Sequence, residues 1–198
     1  MMDLEEVKHR FPETAHGIEA LERSGFNSRN DDWINTLNPE LAKTACWVMG
    51  KVGDPYDADV LVQILSSDRN DLWREAATAL SLVATDQHLA PLQLILTTAS
   101  NPTQREGAAY AIAFLSRCQV TEEMIQTLIN IAANEAEIPA VRAQALEGLG
   151  NKLSQDFAPA LYQDGVAALM QALDSPNAEV RFWACFAAGA TLAQQAVP

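Results

Sequence analysis

Five segments of this chain share one short pattern, and that recurrence limits the fold more than any other feature. They are "LAKTACWVMGKVG" from residue 41, "LWREAATALSLVA" from 72, "TQREGAAYAIAFLS" from 103, "AVRAQALEGLG" from 140 and "EVRFWACFAAGATLA" from 179. Each has a basic residue near its start (Lys43, Arg74, Arg105, Arg142, Arg181) and a small one three positions later (Cys46, Ala77, Ala108, Ala145, Ala184). The basic residues are separated by 31, 31, 37 and 39 positions, roughly one helical hairpin each. A period of this size marks a repeat architecture, in which each unit buries its apolar face against the next.

The intervening segments supply the other half of each hairpin. Apolar residues there recur at helical spacing, as in Val60, Ile64, Leu65 and Met124, Leu128, Ile131. No alternating stretch competes with them. Asn38-Pro39, Asn101-Pro102 and Ser175-Pro176 each place a capping side chain before a proline, with Gln104 positioned for a capping box. Asp71 and Thr121 are candidate caps for two further helices. The expected fold is all-α: about five antiparallel helix pairs, preceded by a helix in "PETAHGIEALERSG" that stops near Gly25. Residues 1–37 form an N-terminal capping part and 38–198 the repeat array, together one continuous domain. "EIPAVRAQALEGLG" puts alanine and glycine where a globular protein puts leucine, so a neighbouring helix must approach closely.

These segments resemble HEAT repeats, in particular the HEAT-like repeats of the phycobilisome lyase type, whose second helices read V-R-x-x-A-A-x-A-L-G-x-L-G. "VRAQALEGLG" and "VRFWACFAAG" are the nearest matches and "REGAAYAIAFLS" a fair one, over about residues 38 to 196. The first unit departs, with Lys43 for arginine and Cys46-Trp47 for the alanine pair. The resemblance implies a right-handed α-α superhelix, a HEAT-like solenoid. It also implies that Arg74, Arg105, Arg142 and Arg181 form a structural ladder. Each would pair with an acidic or polar group in a neighbouring turn, for which Asp68, Glu135 and Asp174 are available.

The chain has 13 basic and 26 acidic residues, a net charge of −13. Such a field repels phosphate backbones and disfavours nucleic acid, while favouring a basic partner. The start, "MMDLEEVKHRF", is acidic where a signal peptide is basic, and the apolar run "AAYAIAFL" is too short to span a bilayer. Cys46, Cys118 and Cys185 are odd in number and far apart, which suggests reduced thiols and a cytoplasmic location with no membrane partner.

No catalytic motif stands out. Nucleophile elbow, P-loop and dinucleotide fingerprint are all missing. His9, His16 and His88 lack metal-ligand spacing and read as surface residues, so no metal or cofactor is expected. Cys46 and Cys185 read as packing residues on small helix faces. Trp33 and Trp73 stand at helix starts, where they staple a turn.

The second helices should line the concave face, with outward positions one, two and five after each basic residue. In order these are Thr44, Ala45, Val48; Glu75, Ala76, Ala79; Glu106, Gly107, Tyr110; Ala143, Gln144, Glu147; and Phe182, Trp183, Phe186. Glu75, Glu106, Tyr110, Gln144, Glu147, Phe182, Trp183 and Phe186 make this an acidic, aromatic surface suited to a basic, partly apolar protein segment. The expected function is therefore a non-enzymatic interaction, scaffold or regulatory protein. One alternative, implied by the resemblance alone, is a lyase or chaperone subunit handling a bilin chromophore. Another is a helical-repeat DNA glycosylase, which would need cations this face lacks. The C-terminal "RFWACFAAGATLAQQAVP" is apolar on nearly every face where a terminal repeat needs a polar cap. A homodimer through this repeat, a bound client or a longer array would each account for it.

Overall fold

The computed structural model describes residues 4–29 and 33–193. Among the described residues there are twelve α-helices, three short 3-10 turns and no strand. The helices are α1 Leu4–Arg10, α2 Ala15–Arg23, α3 Trp33–Thr36, α4 Pro39–Val52, α5 Pro55–Ser66, α6 Trp73–Val83, α7 Leu89–Thr98, α8 Pro102–Phe114, α9 Glu122–Ala133, α10 Pro139–Lys152, α11 Pro159–Leu173 and α12 Ala178–Ala193. None of them is long and apolar enough to cross a membrane. They divide into two compact units, Met1–Pro91 with Leu115–Cys118, and Leu92–Phe114 with Gln119–Pro198.

In the first unit α1 and α2 lean on α4, α4 packs along α6, and α5 pairs with α6. The helix expected in "PETAHGIEALERSG" is α2, and Gly25 beyond its end takes the left-handed φ of 76°. Its core is built on Ile18, Leu21, Met49, Leu61, Ile64, Leu65, Leu72 and Leu80, all essentially inaccessible. Each such side chain contributes roughly 1.5–3 kcal/mol through burial.

The second unit holds two full hairpins, α9–α10 and α11–α12. The inner helix α10 also packs against α8 on one side and α12 on the other. The small residues explain the closeness. A Cβ added at Gly150 would sit 2.8 Å from the Cα of Ala187, and one at Gly148 would sit 3.1 Å from Leu128 Cδ1. With neighbours on three sides, α10 is buried at every position from 141 to 150.

The helix starts follow the capping chemistry with two corrections. Asn38 Oδ1 accepts from the Leu41 N–H, Asn101 Oδ1 from the Thr103 N–H, and Thr121 Oγ1 from the Met124 N–H. Ser175, expected to cap the last helix, does not. The cap is Asn177, whose Oδ1 accepts from Glu179 and Val180, because Pro176 belongs to the turn and α12 begins only at Ala178. Asp71 does not cap α6 either, since its carboxylate is taken by Arg69. Asp54, which the sequence reading passed over, caps α5 through the Tyr56 N–H.

Candidate functional site

The repeated arginines are placed first, since they decide which charges remain on the helix faces. Arg105 forks onto Glu137 at 3.0 and 2.7 Å, and its third nitrogen donates to the carbonyls of Ala99 and Ser100. Buried Arg142 donates to the Ala132 carbonyl at 3.1 Å, and Arg181 to Ser175 and Pro176 at 2.8 and 2.9 Å. All of these carbonyls lie in the last turn of the preceding helix or just beyond it, where helical carbonyls run out of N–H partners. Arg74 differs: its guanidinium lies 4.9 Å above the Trp73 ring. The implied acids are not used. Among the described residues, Asp68, Glu135 and Asp174 are not ion-paired with an arginine, and the one acid engaged by the four is Glu137. Burial alone would raise the Glu137 pKa, but the Arg105 guanidinium and the Ile138 N–H outweigh it and hold the carboxyl below its ordinary value.

With its arginines folded back, the second unit presents a surface of rings on α8 and α12. Tyr110 and Phe114 stack at 4.9 Å on α8, where Glu106 is half-buried. On α12, Phe182, Trp183 and Phe186 form a chain of edge-to-face contacts at 5.2 and 5.5 Å. Phe182 is 62% exposed and Phe186 47%. Gln144 and Glu147, expected to point outward, are each only 7% exposed. The expectation treated every inner helix alike, whereas α10 is crowded from both sides. Ala45, Val48, Ala76, Ala79, Gly107 and Ala143 are likewise buried. Among the described residues Gln144 Oε1 has no hydrogen-bond partner. Burial pushes the Glu147 carboxyl above the usual carboxylate range, and among the described residues nothing pairs with it.

The first unit has a different face. Trp47, Gly50 and Lys51 of α4 and Arg74, Glu75, Thr78, Ala79 and Leu82 of α6 line a cavity of about 290 Å³. A neighbouring hollow shares Trp47 and Glu75 and is bounded by Glu13, Thr14, Gly17, Lys43 and Thr44. Lys51 Nζ lies 5.1 Å from the Phe11 ring and 5.5 Å from that of Trp47, and the two rings meet edge-on at 5.2 Å. Glu75 therefore keeps company with cations. Of these residues the outward register includes Thr44, Glu75 and Ala79, and the arginine ladder Arg74. The helical spacing of Trp47 and Lys51, four apart, was the available signal.

Two other expectations change. His88 is not a surface residue: it is 1% exposed, takes the Thr85 N–H on Nδ1 at 3.0 Å, and places Nε2 3.2 Å from Asp59. Cys185 is exposed rather than packed, while Cys46 is buried with its thiol pKa pushed up to about 12 by desolvation. Trp33 is buried edge-on against Phe26 at 5.2 Å, as a turn staple would be. Among the described residues no cluster of His, Cys, Asp or Glu is arranged to hold a metal ion.

Residues 31–113 match the family model for HEAT repeats. The structure is similar to a designed armadillo repeat protein, YIII(Dq.V1)4CPAF, solved in complex with the peptide (KR)4. That similarity has a TM-score of 0.53 and 20% identity, covering 95% of this chain and 94% of the other. A second designed armadillo repeat protein, YIII(Dq)4CqI, gives 0.50 and 18%, covering 96% and 95%. No curated protein matches the chain. The fold is thus the all-helical repeat fold shared by armadillo and HEAT proteins. The family match is to HEAT repeats in general and does not extend to the lyase type.

Proposed function

We propose that this chain, whose repeats belong to the HEAT-repeat superfamily, is a non-enzymatic interaction protein that holds a protein partner on the α8–α10–α12 face of its second unit. The observation that carries the reading is the exposed aromatic chain Phe182, Trp183, Phe186 on that face. Water-exposed rings are costly to leave uncovered, and rings of this kind anchor most protein contacts, each contributing about 2 kcal/mol or more when buried at the centre of an interface. The charge around them selects the partner. Arg105, Arg142 and Arg181 are turned to backbone carbonyls, and the whole chain carries −13. A basic, partly apolar segment fits this surface, since aromatics anchor while opposite charge steers the encounter. The designed armadillo repeat protein of similar fold was solved with the peptide (KR)4, a basic occupant. At 20% identity that supports the choice of partner class only by analogy.

The test is affinity capture from a lysate of the source organism, comparing the wild type with Tyr110→Ala and Phe186→Ala. Both variants should stay folded by circular dichroism and lose the partners the wild type captures. If both variants retain every partner, the face is wrong.

A further inference from the structure

We propose that Glu147 and Gln144 form the floor of a subsite for one arginine side chain of the partner, a reading that rests on the function proposed above. Both side chains are more than nine-tenths buried, Gln144 Oε1 has no donor, and among the described residues Glu147 has no partner. A buried acceptor left unsatisfied costs about 1–3 kcal/mol, and more when it is charged. Glu147 lies three residues after Gln144, on the same face of the helix. Their own unit does not supply the missing donor: its inner-helix arginines are committed, Arg105 to Glu137, Arg142 to Ala132 and Arg181 to Ser175 and Pro176.

The position of the pair favours an occupant from outside. At 100° per residue, Glu147 stands roughly 140° around α10 from Arg142, which reaches the Ala132 carbonyl of α9. Glu147 therefore faces away from its hairpin partner. The same register on the two helices flanking α10 is held by Tyr110 and Phe186, each five residues after its repeat arginine. A floor of two acceptors between two aromatic positions matches a guanidinium better than any other side chain. Its planar fork donates to both acceptors while its faces stack on rings, and it sheds water more readily than an ammonium.

The experiment titrates full-length protein with the peptide acetyl-Gly-Ser-Arg-Ser-Gly-amide, followed by tryptophan indole shifts in NMR. Control peptides carry lysine or the neutral isostere citrulline in place of arginine. The arginine peptide should bind saturably, the lysine peptide more weakly and the citrulline peptide not at all. Glu147→Gln should weaken arginine binding about tenfold or more, the loss expected for a charge-assisted contact. The same variant should melt no earlier than the wild type, which shows that the fold is intact. Equal affinity of wild type and Glu147→Gln, equal binding of the citrulline peptide, or no saturable binding of the arginine peptide would each overturn the subsite. If the subsite falls while Phe186→Ala still abolishes partner capture, the proposed function stands. If arginine binding holds but capture survives Tyr110→Ala and Phe186→Ala, the subsite stands and the proposed function falls.

Discussion

The inner helices of the two units begin from one repeat position and use it in opposite ways. In α8, α10 and α12 the arginine folds back onto carbonyls of the preceding turn, which strips these cations from the face and leaves its rings. In α4 and α6 the basic residue stays outside. Lys43 lies 3.4 Å from Glu40 on its own helix, and Arg74 rests on the Trp73 ring. Five residues before Arg74, Arg69 donates to the Ile34 carbonyl in α3 and pairs with Asp71. A repeat motif thus sets where a side chain starts, and its local partners set where its charge ends.

The largest test of this comparison concerns how closely helices approach. Gly150→Val sets a branched side chain against the Ala187 backbone, where even a Cβ would lie at 2.8 Å. Overpacking of that kind should cost about 3 kcal/mol, read as a lower thermal midpoint. Gly189→Ala in α12 has open space around its Cβ and should gain up to about 1 kcal/mol from helix propensity. If the two substitutions behave alike, the close-packed role of the small residues is wrong. Next in size is the arginine contrast. Arg142→Ala leaves the buried Ala132 carbonyl without its donor and should cost about 2 kcal/mol. Arg74→Ala, which removes an exposed side chain from a half-buried ring, should stay within about 0.5 kcal/mol. Equal losses would mean that the first unit uses its basic residue as the second does.

The part legible in advance was what depends on spacing: the hairpin period, the small-residue faces, Asn38, Asn101 and Thr121 as caps, and the aromatic group on α12. The part that was not depends on neighbours. Gln144 and Glu147 stand at the positions of Trp183 and Phe186 in α12, which are half-buried and exposed, yet they are buried, because a position's exposure is set by how near the flanking helices come. Gly148 and Gly150 carried that signal, since glycines facing two different helices imply crowding on both sides. Ser175 and Asn177 were both plausible caps, and only the path of the turn separates them. The Trp47–Lys51 cavity went unseen because its wall is shared between α4 and α6, 23 residues from Lys51 to Arg74.

A smaller effect separates two ion pairs that perform matching tasks. Arg105–Glu137 closes a turn in the second unit, and Arg69–Asp71 does so in the first. Glu137 is the more enclosed, so Glu137→Gln should cost about 1 kcal/mol at neutral pH. Because its folded pKa is depressed, the pair's stabilisation is complete above the ordinary glutamate value of 4.5 and fades as pH falls through the lower folded value. Melting curves of variant and wild type should therefore converge in acid. Curves that stay parallel from pH 7 to pH 2 would show that the carboxylate charge is not what closes the turn.

The smallest expected change has the opposite sign. Among the described residues Glu147 is buried without a partner, and burial raises its folded pKa above 4.5, so the folded state favours the protonated acid. Stability from this group is present below 4.5 and is lost as pH rises through the elevated folded value. Glutamine keeps the shape and removes the titration. Glu147→Gln should match the wild type near pH 4 and exceed it at pH 7 by less than about 1 kcal/mol, a gain measurable as a slightly higher melting midpoint. Asp57, in the first unit, is raised by burial as well, with the Ser28 hydrogen bond working against it, so the variant retains part of the alkaline slope. A variant that melts earlier than the wild type at pH 7 would mean that Glu147 supports the fold of its own unit. The two faces would then differ only in the placement of their cations.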